Sequence, residues 1–269
     1  MKIIHFSDPH AGGPAEDWMA YIDKRWVGVF NYTFRRKFQH DLSLLSRAVE
    51  YILAASPDLA ICTGDLTSTG QPGEFEKVRK ILAPLRDSKI PVFYLPGNHD
   101  FYVYRRSCVT AMKGMVEYLT RGRYTFDALP LKLTFGDLDF LMVNESWPSN
   151  LLSSHGWLRP QHSSWLEQLC GEPKIRPRVM VGHYPLLEEH PILRCRHRLY
   201  GQARAARLLR GGQIDLSLCG HVHKPKARLD DRGRGEIIAG SITRNHCLAE
   251  IDYDANLDRF DYRQLQLDN

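Results

Sequence analysis

The sequence lacks a long apolar run and lacks paired cysteines, and each absence excludes a class of protein. No stretch of the 269 residues approaches the roughly 18 apolar residues that a membrane-spanning helix needs. The N-terminal residues have neither the apolar region nor the cleavage site of a signal peptide. None of the six cysteines follows a Cys-x-x-Cys spacing, and Cys62 and Cys219 lie within apolar runs. We therefore expect reduced thiols and a cytoplasmic protein.

The sequence also lacks internal repeats, low-complexity segments and linkers, so we expect one domain over residues 1–269. Its composition, with 43% hydrophobic and 25% charged residues, is typical of globular proteins. The net charge of +5 suits an anionic substrate or a membrane surface. It is too small to indicate nucleic acid as a partner. These features leave the oligomeric state open.

Strand-like and helical segments alternate along the first hundred residues. Three apolar runs and two segments of helical periodicity follow one another at 2–7, 41–55, 58–63, 73–86 and 91–95. This order is typical of βαβ units in a parallel sheet. Later patterns predict a hairpin and further strands, at 131–135, 138–144, 177–181, 214–219, 227–230, 236–239, 248–253 and 258–265. We expect two packed sheets, the first mostly parallel, with helices outside.

Side chains that bind metals in proteins follow five of these strands. They are Asp8 and His10, Asp65, Asn98 and His99, His183, and His221 and His223. Because ligands bind at the carboxyl ends of strands in open α/β sheets, we expect these side chains to lie together. Oxygen and imidazole donors without cysteine suit Mn²⁺, iron and Zn²⁺. The set is too large for one ion, and it fits two divalent ions that share a bridging carboxylate.

These residues form five ordered blocks, which are Asp8-x-His10, Gly64-Asp65, Gly97-Asn98-His99-Asp100, Gly182-His183 and Gly220-His221-x-His223. The set resembles the calcineurin-like metallophosphoesterase superfamily, in its bacterial phosphodiesterase and phosphohydrolase branch. The resemblance implies an α/β fold, which some schemes class as α+β. This fold is a four-layer αββα sandwich of two mixed sheets flanked by helices, with a dinuclear metal site at the carboxyl ends of the strands.

The resemblance also implies a role for each residue of the blocks. Asp8, His10 and His223 would hold the first metal. Asn98, His183 and His221 would hold the second, and Asp65 would bridge the two. His99 would face the leaving group as general acid or as a hydrogen-bond donor in the transition state. Asp100 would orient a neighbouring group. Mn²⁺ or an iron–manganese pair is expected ahead of Zn²⁺.

A charge count narrows the expected reaction. Two divalent ions carry four positive charges, Asp8 and Asp65 remove two, and a bridging hydroxide removes one. The single charge that remains matches a phosphodiester or pyrophosphate linkage better than a dianionic monoester. We therefore expect a dinuclear metal-dependent phosphohydrolase in which a metal-bridging hydroxide attacks phosphorus. The alternatives are a hydrolase of lipid-linked substrates similar to UDP-2,3-diacylglucosamine pyrophosphatase, and then a phosphomonoesterase, a nuclease or a non-catalytic metal-binding scaffold.

Two further regions are candidates for substrate binding. Arg194, Arg196 and Arg198 follow His183, and Arg244 lies near the last strands. Arginine binds phosphate groups in a bidentate manner, but the same residues would equally fit a solvated loop.

An aromatic and basic insert at 15–40 follows the predicted ligand His10. It is interpreted as a lid, a pocket for acyl chains, a contact with the inner face of the membrane, or helices packed on the core. Residues 101–125 are a second possible cap.

Overall fold

Two β-sheets pack face to face in the centre of the protein. The computed structural model describes residues 1–34, 41–148, 154–188 and 198–267. The first sheet contains β1 (Lys2–Phe6), β2 (Leu59–Cys62), β3 (Val92–Tyr94), β12 (Cys247–Asp254) and β13 (Arg259–Gln266). Its spatial order is β13–β12–β1–β2–β3. The parallel pairing of β1, β2 and β3 confirms the predicted βαβ units.

The second sheet is parallel at its centre and antiparallel at its edges. It contains β4 (Leu131–Phe135), β5 (Leu138–Met142), β7 (Arg178–Val181), β9 (Leu216–Cys219), β10 (Lys226–Leu229) and β11 (Gly235–Ile238). Their order is β10–β11–β9–β7–β5–β4, and β4 with β5 forms the predicted hairpin. A small parallel sheet of β6 (Gly156–Trp157) and β8 (Leu199–Tyr200), too short for a periodic signal, was not predicted.

The main core lies between the two sheets. Phe93 of β3 contacts Phe140 of β5, with ring centroids 5.3 Å apart. Along β5, Phe140 and Met142 belong to this core, whereas Leu141 belongs to a second cluster on the opposite face of the sheet. Successive side chains of a strand point to opposite faces, so a strand buried on both faces is apolar throughout. All five cysteines among the described residues are buried free thiols, as predicted.

Helices cover the outer face of each sheet. The helices are α1 (Arg25–Phe34), α2 (Ser43–Ala55), α3 (Pro72–Asp87), α4 (Arg106–Thr120), α5 (Pro160–Gly171), α6 (Ala203–Arg210) and the short α7 (Ile242–Asn245). Helices α2, α3 and α4 lie side by side, and α4 also contacts β3. Helices α5 and α6 pack together against the second sheet. The layer order is helix, sheet, sheet, helix, as the resemblance implied.

Both predicted inserts contain helices. In the insert at 15–40, a 3-10 turn at Trp18–Tyr21 precedes α1, and residues 35–40 lie outside the described part of the chain. Most of 101–125 is α4, which buries Met112 and Val116 in the main core. Helix α4 therefore has the position of an outer-layer helix, and only the residues before it approach the strand ends.

A buried carboxyl fixes the start of α3. Glu74 and Gln71 form a capping box, in which each side chain bonds the other's backbone. The Glu74 carboxyl also accepts hydrogen bonds from the backbone N–H of Thr69 at 2.8 Å and from its hydroxyl at 3.0 Å. Burial raises the pKa of Glu74 to about 7, although these hydrogen bonds act in the opposite direction. Glu74 and Gln71 therefore order the loop between β2 and α3. This loop contains Asp65 and Ser68.

We expect Glu74→Gln to change how folding stability depends on pH. A carboxyl with a pKa of about 7 when folded and about 4.3 when unfolded holds its proton only in the folded protein between these values. Stability is therefore lost as pH rises through this range, and the variant should gain up to about 3 kcal/mol relative to wild type between about pH 5 and about pH 8. Denaturant unfolding at both pH values measures the gain. Glu76→Gln, on the exposed side of α3, is the control, and parallel pH profiles for wild type and Glu74→Gln would contradict the expectation.

Candidate metal centre

The seven predicted ligands converge where β1, β2, β3, β7 and β9 end. The Nε2 atoms of His10 and His223 lie 2.8 Å apart. The Nε2 atom of His183 lies 3.2 Å from the Asn98 Oδ1 atom and 3.3 Å from the His221 Nδ1 atom. Residues more than 200 positions apart in sequence thus meet at one edge of the sandwich.

The ligand atoms form two groups that share one carboxylate. Atoms of Asp8, His10, Asp65 and His223 all lie within 4.8 Å of one another, and so do atoms of Asp65, His183 and His221. Asp65 belongs to both groups. This is the arrangement that two cations with a bridging carboxylate would require.

The backbone at these positions is held in an uncommon conformation. Five of the seven residues have a positive φ: Asp8 (56°), His10 (51°), Asp65 (54°), His221 (69°) and His223 (60°). Residues other than glycine rarely adopt this left-handed backbone conformation. They keep it only where the surrounding structure holds them in it. The conformation turns the chain sharply after each strand and directs the ligand back toward the shared centre.

Glycines before the ligands allow the loops to approach closely. A Cβ atom on Gly97 would lie 2.2 Å from Asp65 Oδ1 and 2.7 Å from a carbon of the His183 ring. A Cβ atom on Gly220 would lie 2.4 Å from Asp8 Oδ2. Both distances are impossible for a real side chain, so only glycine fits where these carboxylates pass.

Each carboxylate has one oxygen held by backbone and one directed at imidazoles. The His99 N–H donates to Asp65 Oδ1 at 2.7 Å, and the His221 N–H donates to Asp8 Oδ2 at 3.0 Å. The other oxygens, Asp65 Oδ2 and Asp8 Oδ1, are buried and receive no hydrogen bond from the described residues. They lie 3.4 Å from His183 Nε2 and His223 Nε2 respectively.

A buried acceptor without a donor is costly, and cations would satisfy these two oxygens. Burial by itself raises the pKa of Asp65, but the neighbouring imidazoles of His183, His99 and His10 lower it well below its usual range. The Asp65 carboxylate is therefore ionised at neutral pH. Two charged oxygens facing imidazole nitrogens, together with the Asn98 amide oxygen, fit two divalent cations.

Hydrogen bonds behind the imidazoles fix their orientation. The His183 Nδ1 atom lies 2.6 Å from the carbonyl oxygen of Thr63, which only accepts, so Nδ1 carries the proton and Nε2 faces the centre. Glu145 accepts from the backbone N–H groups of His183 and Tyr184 at 2.9 and 2.8 Å. Burial raises the pKa of Glu145 to about 7. Glu145 was not predicted, and the only signal for it was an acidic residue three positions after the end of β5.

His99 lies beside the ligands and is held on three sides. Its Nδ1 atom donates to the Ser68 carbonyl oxygen at 2.7 Å, which leaves Nε2 as the nitrogen that would contact a substrate. Its ring stacks on Tyr102, with centroids 5.3 Å apart and planes at 14°. Its edge meets the His10 ring at a centroid distance of 4.9 Å. The ring orientation is therefore set before any substrate arrives.

The Asp100 carboxylate joins two of the ligand loops. Its carboxylate accepts from Leu66 N, Thr67 N and Thr67 Oγ1, and also from Tyr94 Oη and Gly97 N. These bonds join the loop that carries Asp65 to the loop that carries Asn98. These hydrogen bonds agree with the orienting role that the resemblance implied, and the placement of Asp100 among the catalytic residues stays a prediction.

The predicted arginines divide into those the structure describes and those it does not. Arg194 and Arg196 lie outside the described residues. The Arg198 guanidinium lies over the Tyr200 ring at 4.8 Å, and Arg244 is exposed on α7. Helix α7 is joined to the loop after β1 through the hydroxyls of Ser241 and Thr243, which donate to the carbonyls of Asp8 and Pro9 at 2.7 and 3.0 Å. Contact of these arginines with substrate stays a prediction.

Solved structures share this architecture. A dimetal phosphatase from Danio rerio aligns over 98% of this chain and 95% of its own length, with a TM-score of 0.67 and 14% identity. A putative 5′-nucleotidase from Staphylococcus aureus aligns over 100% of this chain and 54% of its own, with a TM-score of 0.58 and 16% identity. Identities this low show the fold alone.

The family follows from the sequence comparison. The family model described as calcineurin-like phosphoesterase matches residues 1–225, and the chain belongs to this family. Among curated relatives, a glycerophosphodiester phosphodiesterase of Enterobacter lignolyticus is 27% identical over 64% of this chain and 58% of its own length. A 3′,5′-cyclic adenosine monophosphate phosphodiesterase of Escherichia coli is 27% identical over 66% of this chain and 58% of its own. The chain thus spans about three fifths of the length of these relatives.

We expect Asp65→Asn to reduce binding at both halves of the centre. The carboxylate belongs to both ligand groups, and an amide oxygen carries no charge. Protein loaded with Mn²⁺ and dialysed should hold close to two ions per chain in the wild type and fewer than one in the variant, as measured by elemental analysis. Asp127→Asn, at an exposed carboxylate paired with Lys113, is the control. Two retained ions in Asp65→Asn would remove Asp65 from the bridging position.

Proposed function

We propose that this chain hydrolyses phosphodiester or diphosphate linkages at a two-cation centre. The observation that carries the proposal is the position of Asp65 in both ligand groups. The two relatives described above, named for glycerophosphodiesters and cyclic nucleotides, support a diester substrate. The family membership supports the class of reaction.

Each ligand has a part in this proposal. Asp8, His10 and His223 hold one cation, Asn98, His183 and His221 hold the other, and Asp65 contacts both. When bound, the two cations supply a nucleophilic water and polarise the phosphoryl oxygens. Thr63 and Glu145 keep His183 in the orientation in which Nε2 faces the centre.

Charge favours a substrate with a singly charged phosphoryl group. Asp8 and Asp65 are the two carboxylates among the seven ligands, and Asn98 contributes an oxygen without adding negative charge. With two divalent cations and one hydroxide bound, the seven residues would leave the centre with a net positive charge. A phosphodiester group neutralises that charge, whereas a dianionic monoester exceeds it unless another cation contributes.

His99 is assigned to the leaving group in this mechanism. Its Nδ1 atom is committed to the Ser68 carbonyl, and Tyr102 and His10 fix its ring. The Nε2 atom can then donate a hydrogen bond to the oxygen that departs or to a phosphoryl oxygen in the transition state.

We expect His99→Ala to lower kcat by about 10²- to 10⁴-fold without loss of bound metal. If His99 protonates the leaving group, the loss should be large for glycerophosphoethanolamine, from which an alkoxide departs, and small for bis-p-nitrophenyl phosphate, because p-nitrophenolate departs without a proton. An equal loss for both leaving groups would assign His99 to a phosphoryl oxygen. Turnover equal to wild type with both groups would remove it from the reaction. Elemental analysis of the variant checks that its metal content is unchanged.

A lipid-linked diphosphate is the second candidate substrate. The insert exposes large apolar side chains that the core does not use, among them Trp18 (70% exposed), Tyr21 (66%) and Phe30 (56%). They follow the ligand His10 in the chain and lie on the insert that packs beside His99. No helix in the described ranges is long and apolar enough to cross a bilayer. Contact with a lipid substrate, or with a membrane surface, would therefore come through this insert.

We expect the triple variant Trp18→Ala, Tyr21→Ala, Phe30→Ala to lower kcat/KM for UDP-2,3-diacylglucosamine at least tenfold more than for bis-p-nitrophenyl phosphate. The removed side chains would bury apolar area only against acyl chains. Leu257→Ala, an exposed apolar residue in the turn between β12 and β13, is the control. Equal changes for both substrates would assign the insert to packing.

A further inference from the structure

The insert is anchored rigidly next to His99. Arg25 is fully buried and bonds the carboxylate of Asp17 at 2.8 and 2.9 Å and that of Asp23 at 2.9 and 3.0 Å. Helix α1 meets the loop after β2 at Gly28, where a Cβ atom would lie 2.2 Å from Thr69 Cγ2. That loop includes Ser68, whose carbonyl holds His99. The turn that precedes α1 is therefore fixed relative to the His99 ring.

Lys24 lies in this turn and extends over the ring of Tyr102. Its Nζ atom is 4.2 Å from the centroid of the Tyr102 ring, which stacks on His99. The side chain is half-buried. Burial lowers the pKa of Lys24 to about 8, while the charge of Asp65 raises it. The ammonium is thus held over Tyr102, the ring that stacks on His99.

The ammonium of Lys24 increases the positive charge of the site, so a substrate with more negative charge is needed to neutralise it. The centre with its cations and hydroxide retains one positive charge, and Lys24 adds a second. A simple phosphodiester neutralises only one of them. A diphosphate linkage esterified at both ends carries two negative charges, one on each phosphate. If one phosphate is attacked at the centre, the other is the leaving group and lies on the side assigned to His99.

We propose that Lys24 is a specificity-determining residue, which binds the phosphate of the leaving group and so directs the site toward diphosphate linkages. The inference rests on the proposed function and selects one of its substrate classes. Water bonds through its oxygen to the attacked phosphorus, and the bond from that phosphorus to the bridging oxygen breaks. The bridging oxygen departs with the second phosphate, and the protons of water are shared by the two phosphomonoester products. Lys24 donates hydrogen bonds to the departing phosphate, which is a charge-assisted interaction.

The test compares Lys24→Met, Lys24→Arg and the control Lys113→Met on Mn²⁺-loaded protein, with UDP-glucose and bis-p-nitrophenyl phosphate as substrates. Lys24→Met should lower kcat/KM for UDP-glucose about 10- to 100-fold more than for bis-p-nitrophenyl phosphate, chiefly through KM. Lys24→Arg should restore most of the loss, because it keeps the charge. Lys113, exposed and paired with Asp127, should have no effect on either substrate.

Calorimetry with inorganic pyrophosphate gives a readout that does not depend on turnover. Lys24→Met should bind pyrophosphate about tenfold or more weakly than wild type and bind inorganic phosphate nearly as well. Equal losses for both ligands or for both substrates, or no loss for either, would overturn the assignment of Lys24. Wild-type protein that cleaves neither substrate would refute the proposed function, and the pyrophosphate titration would still decide whether Lys24 binds a second phosphate.

Discussion

The structure depends on holding two ionised carboxylates, Asp8 and Asp65, in a buried pocket of imidazoles. Such charges are costly unless each oxygen has a partner. Backbone N–H groups of His221 and His99 satisfy one oxygen of each, and the other two are directed at the positions that cations would fill. The left-handed turns and the close approach of loops at Gly97 and Gly220 bring these partners to the carboxylates.

Further hydrogen bonds and contacts join the candidate ligands to the surrounding loops. Asp100 joins the Asp65 loop to the Asn98 loop through three hydrogen bonds from Leu66 and Thr67. Glu74 orders the following turn, and the Ser68 carbonyl in that turn orients His99. The insert then packs on Thr69 and brings Lys24 to the Tyr102 ring. One continuous set of loops thus supports the candidate metal ligands, the proposed leaving-group histidine and the proposed specificity residue.

Several features could be predicted because they depend on local pattern. Apolar runs marked the parallel strands, Gly136-Asp137 marked the hairpin of β4 and β5, and glycine or polar blocks after strands marked the ligands. Glu145 and Lys24 could not be found in this way, because nothing near them in sequence shows which side chain they approach. Helix α7 and the sheet of β6 and β8 are too short for a periodic signal. The sequence of the insert at 15–40 revealed its aromatic and basic composition. It did not reveal that Arg25 and Gly28 attach the insert to the rest of the structure.

The sequence by itself determined the family blocks, the two-sheet class of fold and the chemistry of the donors, since these depend on residue type and on spacing along the chain. Only the tertiary structure decided which oxygen of each carboxylate faces the imidazoles, that Asp100 joins two of the ligand loops, and that a lysine of the insert lies over the Tyr102 ring, which stacks on His99. The first of these depends on contacts between segments more than 200 residues apart, such as those of Asp8 with His221 and His223. Such contacts are set by the packing of the two sheets and their loops, which no local stretch of sequence contains.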